Sequence, residues 1–216
     1  VSDRVSFIAP VTSASNSPFT ALPTAVQWSH HIVGPRLRVG DWVVDATAGN
    51  GHDSIFLAER VLPSGRVFTF DLQAQAIEKT RENLAKNVTI QQLAEVTLFQ
   101  AGHERMSELL PTEARGRLRA VMFNFGYLPG GDKKIITREE TSLAAVRIAL
   151  EWLAEDGVMT IVLYPGHDGG REEASAVQCL IASLPSMEFE AQRVGYLNFR
   201  PTTPYCIAVR RRAANA

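Results

Sequence analysis

The chain is short of three things, and each shortage narrows what it can be. Cysteine is scarce: Cys179 and Cys206 are the two in 216 residues, with no Cys-x-x-C spacing between them. No disulfide framework is expected. Both read as small core residues of a chain suited to a reducing compartment. A charge surplus is missing too, since 22 Lys and Arg face 23 Asp and Glu for a formal net charge of −1. That argues against a whole-surface nucleic-acid binder while leaving room for a local basic patch. Finally, no apolar run reaches the about 18 residues of a membrane span. No repeat or internal linker divides the sequence. At this length, with 45% hydrophobic residues, it should form one medium domain with its own core.

The domain is expected over residues 21–212. Residues 1–20 are rich in Ser, Thr and Pro and lack an apolar signal core. They read as a flexible or extended arm, and either a tail or a cropped leader fits a chain that opens on Val1. Otherwise the cytoplasm is the expected compartment.

What is present centres on Val43-Val44-Asp45-Ala46-Thr47-Ala48-Gly49-Asn50-Gly51-His52-Asp53. A β-branched run suits a buried strand. Gly-x-Gly suits a turn that a ligand approaches closely. Ser54 to Val61 then reads as a helix, whose start offers free N–H groups. The dinucleotide fingerprint wants Gly or Ala three places after its second glycine, and here that place holds Ser54. A pyrophosphate would also meet the carboxylate of Asp53. An amino-acid ammonium would instead be welcomed by Asp45 and Asp53. S-adenosylmethionine carries that ammonium and a sulfonium, and has no phosphate. A second strand, Val67 to Phe70, ends in Asp71 about 20 residues after the glycines, where an acid grips ribose hydroxyls. A plain strand-to-helix turn capped by Asp or Ser is the competing reading.

In chain order, Leu22 to Arg38 reads as a helix broken at Pro35. It carries Trp28, His30 and His31, either as a cover for the pocket, with His31 approaching cofactor or substrate, or as ordinary core and surface residues. No third and fourth ligand stands at helical spacing from these histidines, so no metal is expected. Strands are expected at 42–46, 66–71, 96–99, 118–123, 158–164, 187–195 and 204–211, and helices at 53–62, 73–87, 104–110, 137–154 and 171–184. Strand and helix alternate and the last two strands form an antiparallel pair. This predicts an α/β fold with a mostly parallel seven-stranded sheet and helices on both faces. Ligands in such sheets bind beyond the strands' carboxyl ends. Gly102 and His103 follow the third strand, where they would either read an adenine ring or cap the next helix.

The fourth strand is followed by Asn124-Phe125-Gly126-Tyr127-Leu128-Pro129-Gly130-Gly131-Asp132-Lys133. Its start is similar to the (Asp/Asn)-Pro-Pro-(Tyr/Phe) loop of amino-methylating enzymes, with Phe125 and Gly126 in place of the prolines. In that loop a side-chain carbonyl accepts hydrogen bonds from the target amine, and an aromatic ring stacks on the base. Positioning supplies most of the acceleration for an already activated methyl. A general base is needed only if the amine arrives as ammonium. Asp132, His167 and His31 are candidates for that base.

Asp45-Ala-Thr-Ala-Gly-Asn-Gly-His-Asp53, Gly126-Tyr-Leu-Pro-Gly-Gly-Asp-Lys133 and Tyr164-Pro-Gly-His167 together resemble the YtqB/MnmM-like family, a group labelled rRNA methylase. Its characterised members methylate the amine of 5-aminomethyl-2-thiouridine at the tRNA wobble position. The resemblance runs from about residue 24 to 211 and implies a class I, Rossmann-like methyltransferase using S-adenosylmethionine. It places the cofactor against Asn50, Asp53, Asp71, Gln73, Gly102 and His103. With the loop reading, the expected cofactor set also includes Asp45, Thr47, Gly49, Gly51, His52 and Asn124. Asn124, Tyr127 and Asp132 are the expected catalytic residues. Substrate contacts are expected from His31, Phe125, Gly130, Gly131, Lys133, His167 and Arg171. The expected partner is a tRNA anticodon stem-loop, its phosphates held by Lys133, Lys134, Arg138, Arg171 and Arg200 and a splayed base stacked on Tyr127 or Phe125. A solvated mixed-charge surface is the alternative for those cations. Homodimer formation is compatible with these patterns. An enzyme acting on another RNA base or a small amine, an NAD-linked oxidoreductase and a non-catalytic RNA-binding module are the competing functions.

Overall fold

Val43 and Val44 point to opposite faces of a strand, because side chains alternate along extended backbone. Both are fully buried, so both faces of that strand must be covered. The computed structural model, which describes residues 21–126 and 136–214, shows how. Its elements are α1 (Ala25–Val33), β1 (Trp42–Asp45), α2 (His52–Val61), β2 (Arg66–Asp71), α3 (Ala74–Asn87), α4 (Ile90–Leu93), β3 (Val96–Gln100), α5 (Met106–Leu109), β4 (Leu118–Phe125), α6 (Glu139–Trp152), β5 (Leu153–Leu163), α7 (Gly170–Ala182), β6 (Phe189–Val194) and β7 (Tyr205–Arg211).

The strands form one sheet in the order β3-β2-β1-β4-β5-β7-β6. β1 to β5 pair in parallel, and β7 runs antiparallel to both β5 and β6. On one face Val44, Phe68, Phe70, Val121 and Phe123 pack with Ala145, Val146 and Ala149 of α6 and Val177 of α7. On the other, Val43, Val67, Ala120 and Met122 pack with Phe56, Leu57 and Val61 of α2 and Leu84 of α3. Each of the Val, Leu, Phe and Met side chains among them contributes about 1.5–3 kcal/mol of transfer free energy when fully buried. The chain reverses its winding direction between β1 and β4, which opens a crevice outside their carboxyl ends.

Several boundaries differ from the sequence reading. The first helix begins at Ala25 because Thr24 closes a capping box with Gln27, whose backbone N–H donates to Thr24 Oγ1 at 3.3 Å while Gln27 Oε1 accepts from the Thr24 N–H at 2.9 Å. Pro35 sits in a 3₁₀ turn, Gly34–Arg36, that ends this segment. The expected helix 104–110 is split into a 3₁₀ turn at His103–Arg105 and the four-residue α5. β4 continues through Asn124 and Phe125, which pair with Val162 and Leu163. The expected loop therefore starts inside the sheet. β5 starts at Leu153, and its register against β4 shifts across a bulge that contains Asp156 at φ 58°. Of the two cysteines, Cys206 is buried, its thiol pushed up to about 12 by that burial, but Cys179 is exposed on α7 rather than in the core. Among the described residues, no helix is long and apolar enough to cross a membrane.

Candidate active site

The glycine loop lies between the ends of β1, β2 and β4, and backbone bonds fix it there. Ala46 N–H donates to Met122 O at 2.9 Å and Ala48 N–H to Phe70 O at 2.8 Å. Gly49 N–H donates to Asp71 Oδ2 at 2.9 Å. α3 braces the loop from behind, with Thr80 Oγ1 donating to Gly49 O and Asn83 Nδ2 to Asn50 O. Gly51 has φ +83°, and a Cβ there would come within 3.0 Å of the Thr80 Cα. The second glycine is thus required both by its backbone angle and by how closely α3 approaches.

Asp45 departs from expectation. It is fully buried beneath the loop, where it accepts from Ser54 Oγ at 2.6 Å and Thr47 N–H at 3.1 Å. Ser54 Oγ also lies 3.1 Å from Thr69 Oγ1. The residue that breaks the dinucleotide pattern therefore ties β1, α2 and β2 together. Burial first, and the negative charge of Asp53 second, push the Asp45 carboxyl up to about 7. Asp45 shapes the loop but does not face the cavity.

Asp53 is the hub of the site. It is 5% exposed, and its Oδ1 meets His30 Nε2 at 2.5 Å while its Oδ2 meets Asn124 Nδ2 at 2.6 Å. Asn124 N–H also donates to Thr47 Oγ1 at 2.8 Å, which joins β4 to the loop. The His30 ring lies flat on Phe56, with centroids 3.9 Å apart and planes 13° apart, and the Arg60 guanidinium sits 3.8 Å from that same Phe56 ring.

A cavity of ≈ 690 Å³ opens in front of these groups. Thr47, Gly49, Asn50, His52, Asp53, Asp71, Gln73, His103 and Asn124 line it, all of them anticipated from sequence. Leu72, Glu104, Thr141 and Tyr164 also line it and were not assigned a role, and Arg138, expected at RNA phosphates, lines it too. Tyr164 directly follows β5 and lies within the third quoted motif, which was the available signal. Its phenol is pushed above its usual range, first by burial and then by the charge of Asp53.

Asp71 accepts one backbone N–H on each oxygen, from Gly49 and from Gln73 at 2.8 Å. A carboxylate has about four lone-pair sites, so two stay open toward the cavity, as a ribose diol would need. Burial raises its carboxyl above the usual value. His103 is 8% exposed, and burial pushes its imidazole below the usual range. Its Nε2 is buried and finds no partner among the described residues. A buried ring nitrogen without a partner, on a wall with the apolar Leu72 and Ala101, fits the polar edge of a purine better than it fits bulk water. The residues present therefore match a nucleoside bearing a free ribose diol.

Other anticipated residues lie elsewhere. His31 is exposed, edge-on to Trp28. Its neighbour His30 contacts Asp53 but does not itself line the cavity. Phe125 is fully buried against Phe123 and His103, so no base can stack on it. Gly51, Gly102, His167 and Arg171 do not line the cavity, and Arg171 is exposed on the first turn of α7. Tyr127, Gly130, Gly131, Asp132, Lys133 and Lys134 lie outside the described residues.

A seven-stranded sheet with an antiparallel seventh strand, a glycine loop at the switch point and an acid tipping β2 defines the class I methyltransferases. The family model described as "Putative rRNA methylase" matches residues 67–210, and the chain belongs to that family. The chloroplastic tRNA (mnm(5)s(2)U34)-methyltransferase of Arabidopsis thaliana is 37% identical over 188 residues, which span 85% of this chain and 68% of that one. The structure of a "putative rRNA-methylase" from Clostridium thermocellum matches at 36% identity with a TM-score of 0.81, over 88% of this chain and 99% of the other. That of a "putative methyltransferase" from Streptococcus mutans in complex with SAH matches at 30% identity and TM-score 0.75, over 88% and 99%. The chain is an S-adenosylmethionine-dependent methyltransferase.

Proposed function

We propose that the chain methylates the aminomethyl nitrogen of 5-aminomethyl-2-thiouridine at the wobble position of tRNA. The orientation of Asn124 carries this reading. A carboxylate can only accept hydrogen bonds, so the amide nitrogen of Asn124 must face Asp53. The side-chain carbonyl of Asn124 is then left as an acceptor at the cavity, the group that an amine N–H requires. A fixed acceptor aims the nitrogen lone pair without itself taking part in bond making. The nucleoside in the name of the Arabidopsis relative, mnm(5)s(2)U34, carries a methylated amine consistent with such a site.

S-adenosylmethionine supplies the electrophilic methyl group. Asp71 holds the ribose diol, Leu72 and His103 bound the adenine, and Gly49, Asn50, His52 and Gln73 line the remaining wall. Asp53 lends negative charge near the amino-acid ammonium. Arg138 on the cavity rim, with Arg171 and Arg200, all exposed, grips phosphates of the anticodon stem-loop. Tyr164 offers a phenol ring on the cavity wall, available to a splayed base.

Methyl transfer from labelled S-adenosylmethionine to two tRNA pools tests this. One pool comes from cells lacking the final wobble methylation and the other from normal cells, with nucleoside mass spectrometry of the products. A new methylaminomethyl-thiouridine peak in the first pool alone is expected. Transfer to ribosomal RNA or to a small amine, with neither tRNA pool modified, would overturn the assignment.

A further inference from the structure

We propose that His30 is a positioning residue for methyl transfer. By occupying one oxygen of Asp53 it keeps the other on the Asn124 amide, and so holds the Asn124 carbonyl toward the substrate amine. The functional consequence rests on the amine-methylation reading above. The geometric part stands without it.

Three observations carry the inference. His30 reaches Asp53 across 23 residues of sequence at 2.5 Å, and the same carboxylate reaches Asn124 at 2.6 Å. The chain His30–Asp53–Asn124 thus runs from α1 through the start of α2 to the end of β4. Second, His30 is held in place by more than this bond, because its ring is stacked on Phe56. Its side chain keeps 27% exposure while that of Asp53 keeps 6%. Third, among the described residues no donor reaches Asn124 Oδ1, and the Asp53 bond is the one there that orients the amide.

Removing the His30 donor has a defined chemical result. Asp53 would keep a buried oxygen with no partner, which is costly for an ionised group. Asp45 and Tyr164, which also face it, carry no positive charge to take the place of the His30 donor. The carboxylate is then free to turn about its side-chain bonds, with either oxygen reaching the Asn124 NH₂. The amide follows it, and its carbonyl is no longer held toward the substrate amine.

The test uses the full chain with His30→Phe, which keeps a ring on Phe56 and removes the donor, and His30→Gln, which keeps a donor and removes the ring. In His30→Phe, kcat at neutral pH should fall on the order of 10²-fold, the scale of a small misplacement of a reacting group. Its affinity for S-adenosylmethionine by calorimetry should be retained. His30→Gln should restore most of the rate. Without any substrate, the Asn124 side-chain ¹⁵NH₂ resonances should be shared by wild type and His30→Gln and shifted in His30→Phe. Equal losses in both variants would reduce His30 to packing and overturn the proposal. So would unmoved Asn124 resonances in His30→Phe. If the wild type leaves aminomethyl tRNA unmodified, the substrate reading fails, and the resonances still decide whether His30 sets the amide.

Discussion

Asn124, at the end of β4, donates its amide N–H to Asp53 at the start of α2 over 2.6 Å, across 71 residues of sequence. The bond fixes which end of an otherwise symmetric-looking amide faces the cavity. Asn124→Ala removes the acceptor and leaves the glycine loop and Asp71 intact. The expected outcome is a loss of about 10²-fold or more in kcat, with S-adenosylmethionine affinity nearly unchanged. Steady-state kinetics beside calorimetry would show it, and a loss confined to cofactor binding would contradict the role.

Asp71→Asn should act in the opposite direction. An amide has one acceptor oxygen where the carboxylate has two, so either the Gly49 or the Gln73 N–H loses its partner. A ribose hydroxyl would also meet an amide in place of a charged acceptor. A loss of about 1–3 kcal/mol in cofactor binding follows, equivalent to about 5–150-fold in affinity at 1.36 kcal/mol per decade. Titration calorimetry with S-adenosylmethionine or SAH measures it directly.

Gly51→Ala tests the loop's backbone. The added methyl group enters at φ +83° and within 3.0 Å of the Thr80 Cα, which is main chain and cannot swing aside. Strain of about 1–3 kcal/mol is expected, read as a lower Tm together with weakened cofactor binding. A variant as stable as the wild type would show that α3 yields.

Asp45 gives the fold a pH dependence of definite sign. Its carboxyl is held at about 7, against 3.8 for the unperturbed group. Between those values the folded chain binds more protons at this site than the unfolded chain does. This site's contribution to stability is therefore greatest in acid and is lost as pH rises from about 4 through about 7. Asp45→Asn cannot titrate. The Tm of the wild type relative to this variant should fall across that window and level off above it. A pH-independent difference would show that Asp45 does not hold a proton in the fold.

Much of this was legible in the sequence because the signals are local. Val43-Val44 before Gly-x-Gly specifies a buried strand entering a turn, and Asp71 at the tip of the next strand follows from spacing alone. Asn124 was recognisable from its place after a strand and its aromatic neighbours. The seven-stranded α/β sheet follows from strands and helices alternating at regular intervals.

The tertiary structure decided what depends on how elements dock. Consecutive residues on a helix point about 100° apart, and the sequence reading turned His31 rather than His30 toward the pocket. The packing of α1 on Phe56 and Asp53 chose His30. A strand places alternate residues on opposite faces. Once β4 extends through Asn124 and Phe125, Phe125 must join Phe123 in the core while Asn124 is free for the site. Asp45 carries a charge that suggested a ligand contact, but its carboxylate lies buried beneath the loop, held by Ser54 Oγ and the Thr47 N–H. The sequence by itself determined a methyltransferase-type sheet and the chemical groups at its rim. The three-dimensional fold determined which of those groups touch, because partners 23 and 71 residues apart are set by helix and strand docking and not by neighbouring sequence.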